Sequence, residues 1–241
     1  MNHRTRAASL AGLVLSACAS TTPVPPRATS HVTTQGEPMQ ITPRPNATAP
    51  AAMAILEHEV AAFDTWKQTF ESYAAGRRSA GILSARVSRS ADASNAVTVC
   101  LASGSFEALE TFFAQPERRA LMERGGVLAP PVTTLAVPVE DLTVRDRPVA
   151  AAFVRAHVSE FDAWKRGFDA RAAARANAGI IGHAIARAKD DPSEVIIVLQ
   201  AEDVDTLRRF TSSDDLRRAM TESGVQAPPR VSFVQSFAVE P

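Results

Sequence analysis

Phe63-Asp64-Thr65-Trp66-Lys67-Gln68-Thr69-Phe70 returns 98 residues later as Phe161-Asp162-Ala163-Trp164-Lys165-Arg166-Gly167-Phe168. Extending that register without a gap lays Ala52–Glu140 over Ala150–Ala238, and 27 of the 89 positions are identical. Arg77, Ala80-Gly81-Ile82 and Arg89 recur as Arg175, Ala178-Gly179-Ile180 and Arg187, and Gly126-Val127-Leu128-Ala129-Pro130-Pro131 as Gly224-Val225-Gln226-Ala227-Pro228-Pro229. Identities clustered at one fixed offset are the trace of a duplication. Two copies of one module are therefore expected, over 52–142 and 149–241.

Each copy reads strand, helix, strand, strand, helix, strand. First strands are expected over 53–60 and 151–158. The helix that follows places Phe63, Trp66, Phe70 and Ala74 on one apolar face, with Asp64 and Asp162 as N-caps and Gly81 and Gly179 as stops. Strands over 82–89 and 96–102 come next, joined in the second copy by the turn Lys189-Asp190-Asp191-Pro192-Ser193. A second helix starts near Ser105 or Asp203 and breaks near Pro116 in the first copy. Final strands are expected over 132–139 and 230–239.

That order is the split βαβ pattern of a ferredoxin-like module, whose single sheet has helices on one face and needs a partner for the other. The second copy supplies it, giving an α+β fold: two βαββαβ modules packed sheet to sheet as a pseudo-dimeric barrel within one chain. With its Phe-Asp-x-Trp-Lys helix start, Arg-x-x-x-Gly helix end and Gly-Val-x-Ala-Pro-Pro approach to the last strand, the chain resembles the dimeric α/β-barrel superfamily, which includes antibiotic-biosynthesis monooxygenase-like domains. The resemblance implies a structural class and no single reaction, since its members include monooxygenases, haem-using enzymes and proteins with no known activity.

The N-terminus carries different information. Arg4 and Arg6 precede an apolar stretch from Ala7 to Leu15, too short to span a bilayer and suited to a signal-peptide core. Leu15-Ser16-Ala17-Cys18 resembles a bacterial lipobox, which implies cleavage after residue 17, lipidation of Cys18 and attachment to the membrane. Ala19 after the cysteine implies the outer membrane where the host has one. The alternative is an ordinary signal peptide cut at Ala17-Cys18-Ala19. From residue 18 to 51 the chain is rich in Pro, Thr and Ser without apolar periodicity, a tether with a reach of roughly 30 Å. If Cys18 carries lipid, Cys100 stands alone and reads as a small core residue.

Charge and motifs exclude several classes. Lys plus Arg and Asp plus Glu are 26 each, so no net field draws nucleic acid. No metal-ligand spacing, phosphate loop, nucleophile elbow or dinucleotide fingerprint is present, and no cofactor is assigned. A haem would need an axial ligand, for which His58, His157 and His183 are the strand histidines.

Strand alternation turns Ala54, Leu56, His58 and Val60 towards the helices and Ile55, Glu57 and Glu59 into the barrel; the matching inward set is Phe153, Arg155 and His157. Glu57, Glu59, Arg155 and His157 are therefore candidates either for docking the two halves through opposed charge or for a ligand site with His157 as proton shuttle. Arg89, Arg187 and His183 are candidates for an anion site at the barrel mouths. Three functional readings follow: a lipid-anchored, extracytoplasmic module that binds a small molecule or partner; a cofactor-independent monooxygenase-like enzyme; or a structural envelope protein, favoured if side chains fill the lumen.

Overall fold

The computed structural model describes residues 50–239. The lipobox, and the tether up to residue 49, lie outside the described residues. In chain order the elements are β1 (Ala52–Glu59), α1 (Phe63–Ser72), α2 (Ala74–Ser79), β2 (Ile82–Ser90), β3 (Ala96–Ser103), α3 (Phe106–Ala114), α4 (Pro116–Arg124), β4 (Val132–Leu142), β5 (Val149–His157), α5 (Phe161–Ala170), α6 (Ala172–Asn177), β6 (Gly182–Ala188), β7 (Glu194–Ala201), α7 (Val204–Thr211), α8 (Asp214–Glu222) and β8 (Arg230–Val239). The eight antiparallel strands close into one barrel in the order β1-β3-β2-β8-β5-β7-β6-β4.

Closure depends on two long strands. The N-terminal part of β4 pairs with β1, Met53 facing Ala136, and its C-terminal part pairs with β6, Leu142 facing His183. Likewise β8 pairs with β5 through Arg230–Ser236 and with β2 through Val234–Val239. The expected barrel is present, and its two seams are edge-to-edge hydrogen bonding around a closed wall rather than packing of two separate sheets. Closure removes the open edges that two separate sheets would expose.

Periodicity explains the two sides of the wall. Outward, Ala54, Leu56 and Val60 form a core with Trp66, Leu109 and Phe112, and Ala152, Val154, Ala156 and Val158 form a second with Trp164 and Leu207. Inward, Ile55, Ala136, Ala186 and Ile196 pack together, as do Ala151, Phe153 and Val234, with Cys100 against both groups. Side chains pack across the lumen, where Met53, Cys100 and Val198 stay partly buried. Cys100 is a packing residue there, and burial pushes its thiol up to about 12.

Two local expectations are corrected. The first helix of each copy is not continuous: it breaks at Tyr73 and at Arg171. At each break a buried arginine, Arg77 or Arg175, reaches back to donate to the carbonyl of Phe70 or Phe168, a second donor beside the backbone N–H of Tyr73 or Arg171. Asp64 and Asp162 are not N-caps; Ala62 and Glu160 hold those positions without a side-chain bond, and the aspartates sit in the first turn, where the helix dipole favours them. Gly81 and Gly179 do end their helices, with φ of 82° and 87°. The second helices start where expected, and Ser105 and Asp203 cap them, accepting from the backbone N–H of Ala108 and Thr206.

Candidate functional site

The inward-facing charges meet at one end of the barrel. Arg155 donates from Nη2 to Glu57 Oε2 at 2.9 Å and from Nη1 to Glu194 Oε1 at 3.3 Å. Its side chain is 10% exposed against 39% for Glu57 and 18% for Glu194, so the guanidinium is the buried centre of a three-residue network joining β5 to β1 and β7. Glu59 and His157 are not part of it. Glu59 is exposed, and His157, half-exposed, places Nε2 3.3 Å from Asp191 Oδ2 in the β6–β7 turn.

Arg89, Arg187 and His183 are not gathered into an anion site. Arg89 donates to the Ser94 carbonyl at 2.5 Å and lies over the Phe63 ring; Arg187 donates to the Pro192 carbonyl at 2.8 and 3.0 Å and lies over Phe161. Each pins a strand turn to the start of a helix, and stacking plus carbonyl bonds occupies the guanidinium. His183 lies on the outer face beneath α5, where Nε2 is 2.8 Å from Glu140 Oε1. Lys165 Nζ meets the other Glu140 oxygen at 2.7 Å and Asp169 at 2.6 Å. Burial opposes ionisation of Glu140, but the bonds from Lys165 and His183 outweigh it and hold the carboxyl below its usual range.

Open space lies elsewhere, between the barrel wall and the helices. Beneath α5–α8 is a cavity of about 390 Å³, floored by Val154, Ala156, Ile197 and Leu199 and walled by Trp164, Phe168, Phe210 and Met220. Its counterpart beneath α1–α4 is about 70 Å³. The difference is read residue by residue at the 98-residue offset: Ala156, Gly167, Arg171 and Ala219 border the large cavity where His58, Thr69, Tyr73 and Leu121 border the small one. Tyr73 folds its ring over Gly76, where a Cβ would sit 2.3 Å from the ring, and donates from its hydroxyl to Gln115 Oε1 at 3.1 Å. Ala174 stands at the position matching Gly76, and no ring crosses there.

His58 fills the smaller cavity edge-on to Trp66, with ring centroids 5.4 Å apart. Neither ring nitrogen has a hydrogen-bond partner, and burial, with the nearby Arg118 guanidinium, lowers its pKa from 6.5 to about 4. The unfolded chain therefore binds the proton more tightly, and stability is lost as pH falls from 6.5 towards 4. A loss of about 2 kcal/mol over that window is expected, and urea midpoints measured against pH should show it in the wild type and not in His58→Leu.

The lining of the large cavity is mainly apolar, with three arginines among it. Arg171, Arg175 and Arg209 border it with a single carboxylate, Asp215, which is itself paired with Arg218. Its volume falls within the roughly 300–1,000 Å³ of small-molecule sites. No cluster of three or more metal-ligating side chains occurs among the described residues. No helix among them is long and apolar enough to cross a membrane.

Eight outward helices on a closed eight-stranded barrel have counterparts among solved structures. The fold is similar to the monooxygenase-like dimeric α+β barrel. A candidate monooxygenase from Fusobacterium nucleatum superposes with a TM-score of 0.57 at 10% identity, covering 80% of this chain and 95% of that one. An anthrone oxidase-like protein gives 0.56 at 14% identity, with 80% and 95% covered. A candidate monooxygenase from Lactobacillus acidophilus gives 0.54 at 10% identity, with 78% and 94% covered. Neither a protein-family model nor a curated protein sequence matches the chain.

Sequence reasoning sought the site in the lumen and missed the cavity beneath the helices. The signal was available in the same register that exposed the repeat. Ala156, Gly167 and Ala219 are each smaller than their counterparts, and a run of small residues at helix-facing positions leaves unfilled space.

Proposed function

We propose that this protein is an extracytoplasmic lipoprotein, tethered through Cys18, that binds a small and largely apolar molecule beneath α5–α8. The observation that carries the reading is the cavity of about 390 Å³ with an aromatic and aliphatic lining. Binding ranks ahead of catalysis because the titratable groups lining it are arginines and Asp215, with no general base at the apolar floor. A cofactor-independent oxygenase is the alternative, and its support is the likeness of fold to proteins named as monooxygenases and an anthrone oxidase-like protein. A purely structural role is the third reading, and the space outside the barrel wall favours binding over it.

The two halves are best explained as tandem ferredoxin-like modules fused after a duplication. Supporting this, β1–β4 and β5–β8 repeat the same internal strand order, and Glu57 meets Arg155, its own counterpart 98 residues on. A residue touches its symmetry mate only near a two-fold axis. The fusion freed the halves to diverge, one cavity closing around His58 and the other staying open.

Native mass spectrometry of the full chain, purified gently from its own host, tests the binding reading. A bound small molecule is expected on the wild type and not on Ala156→Phe, whose ring projects from the cavity floor. A molecule retained equally by both chains contradicts the assignment. Attachment is checked separately: radioactive palmitate should label the wild type and not Cys18→Ala, and a Cys18→Ala chain still found with membranes contradicts the anchor.

A further inference from the structure

Resting on the cavity reading above, we infer that its ligand is an amphipathic anion, an apolar chain or ring system ending in one carboxylate that is received by Arg175. Arg175 is 7% exposed, lies 3.6 Å over the Phe168 ring and borders the cavity. Its Nη1 donates to the Phe168 carbonyl, the bond that holds the α5–α6 break. Among the described residues no carboxylate is within ion-pair distance of it. The nearest influences, Asp169 and Glu140, are both already bonded to Lys165. A buried cation without a counter-ion is costly, and a carboxylate entering the cavity would complete it with charge-assisted hydrogen bonds.

The cations around it reinforce the sign. Arg171 pairs with Glu222 at 2.7 Å, while Arg209 donates at 2.9 Å to the neutral Thr206 hydroxyl and senses Asp203 only through space. With Arg171 paired to Glu222 and Asp215 paired to Arg218, Arg175 and Arg209 remain as cations without a carboxylate partner among the described residues, which favours an incoming anion and opposes a cation. Arg77 makes the matching bond to Phe70, so the break alone explains why both halves carry the arginine. What sets the second half apart is space beside the guanidinium, about 390 Å³ against about 70 Å³.

Titration calorimetry of the full chain with decanoate, 1-decanol and decylamine decides the matter. Decanoate is expected to bind at least roughly tenfold more tightly than 1-decanol, with decylamine weakest, a gap of about 1.4 kcal/mol or more. In Arg175→Gln the decanoate advantage should vanish while 1-decanol binding is kept. Because that change also removes the helix-break bond, an Arg171→Gln/Arg209→Gln chain gives a second reading: decanoate weakens several-fold and 1-decanol does not. Equal affinities for decanoate and 1-decanol overturn the anion inference and leave the cavity standing. Binding of none of the three overturns both.

Discussion

Trp66→Ala is expected to lower the free energy of unfolding by about 3–5 kcal/mol, and Trp164→Ala to cost near the lower end of that range. Both indoles are 5% exposed. Trp66 is wedged between Phe63, Phe70 and His58, with ring centroids 6.0, 5.3 and 5.4 Å away, and its removal leaves a void beside one of only about 70 Å³. Trp164 packs on Phe161 and Phe168 at 5.7 and 5.4 Å but borders the large cavity on another side, so fewer contacts are lost. Urea unfolding checks the stabilities. Ligand titration separates the roles: Trp66→Ala should leave decanoate binding intact, whereas Trp164→Ala should weaken it. Unchanged midpoints in both variants contradict the core assignment.

Arg155→Ala is expected to cost about 2–3 kcal/mol. The guanidinium pairs with both Glu57 and Glu194, and truncation leaves these two carboxylates without it at the barrel end. Solvent reaching Glu57, 39% exposed, keeps the cost below that of a fully buried pair. Glu57→Gln in the Arg155→Ala background should recover part of the loss by removing one of the opposed charges. A loss of under about 0.5 kcal/mol, with no recovery in the double variant, would show that the network does not hold β1 to β5.

Much of the fold was legible from one repeated octapeptide, because an apolar face at helical spacing, carried through a fixed offset, specifies both the element and its partner. Strand alternation placed Ile55, Glu57, Phe153 and Arg155 on the inner face from local pattern alone. A barrel was legible, but the seams that close its wall were not, since they depend on β4 and β8 running past their own sheets, and a strand end in sequence looks the same whether its outer half pairs or frays. The helix breaks were hidden for a similar reason: Tyr73 and Arg171 are ordinary helix residues, and the break is stabilised by an arginine four positions on. The candidate site was least legible. Charged residues on a strand attract attention, yet here Arg155 and Glu57 bind each other, and Arg89 and Arg187 bind carbonyls and rings. The feature that distinguishes the halves is missing bulk, at Ala156, Gly167 and Ala219, and absent volume carries no motif.

Diffraction from a crystal of the protein pressurised with xenon tests the central claim most directly, because xenon enters apolar space irrespective of the natural ligand. Xenon is expected beneath α5–α8, against Trp164, Phe168 and Leu199, and not inside the barrel among Ile55, Phe153 and Cys100. Xenon bound within the lumen, or no xenon beneath α5–α8, would contradict the account.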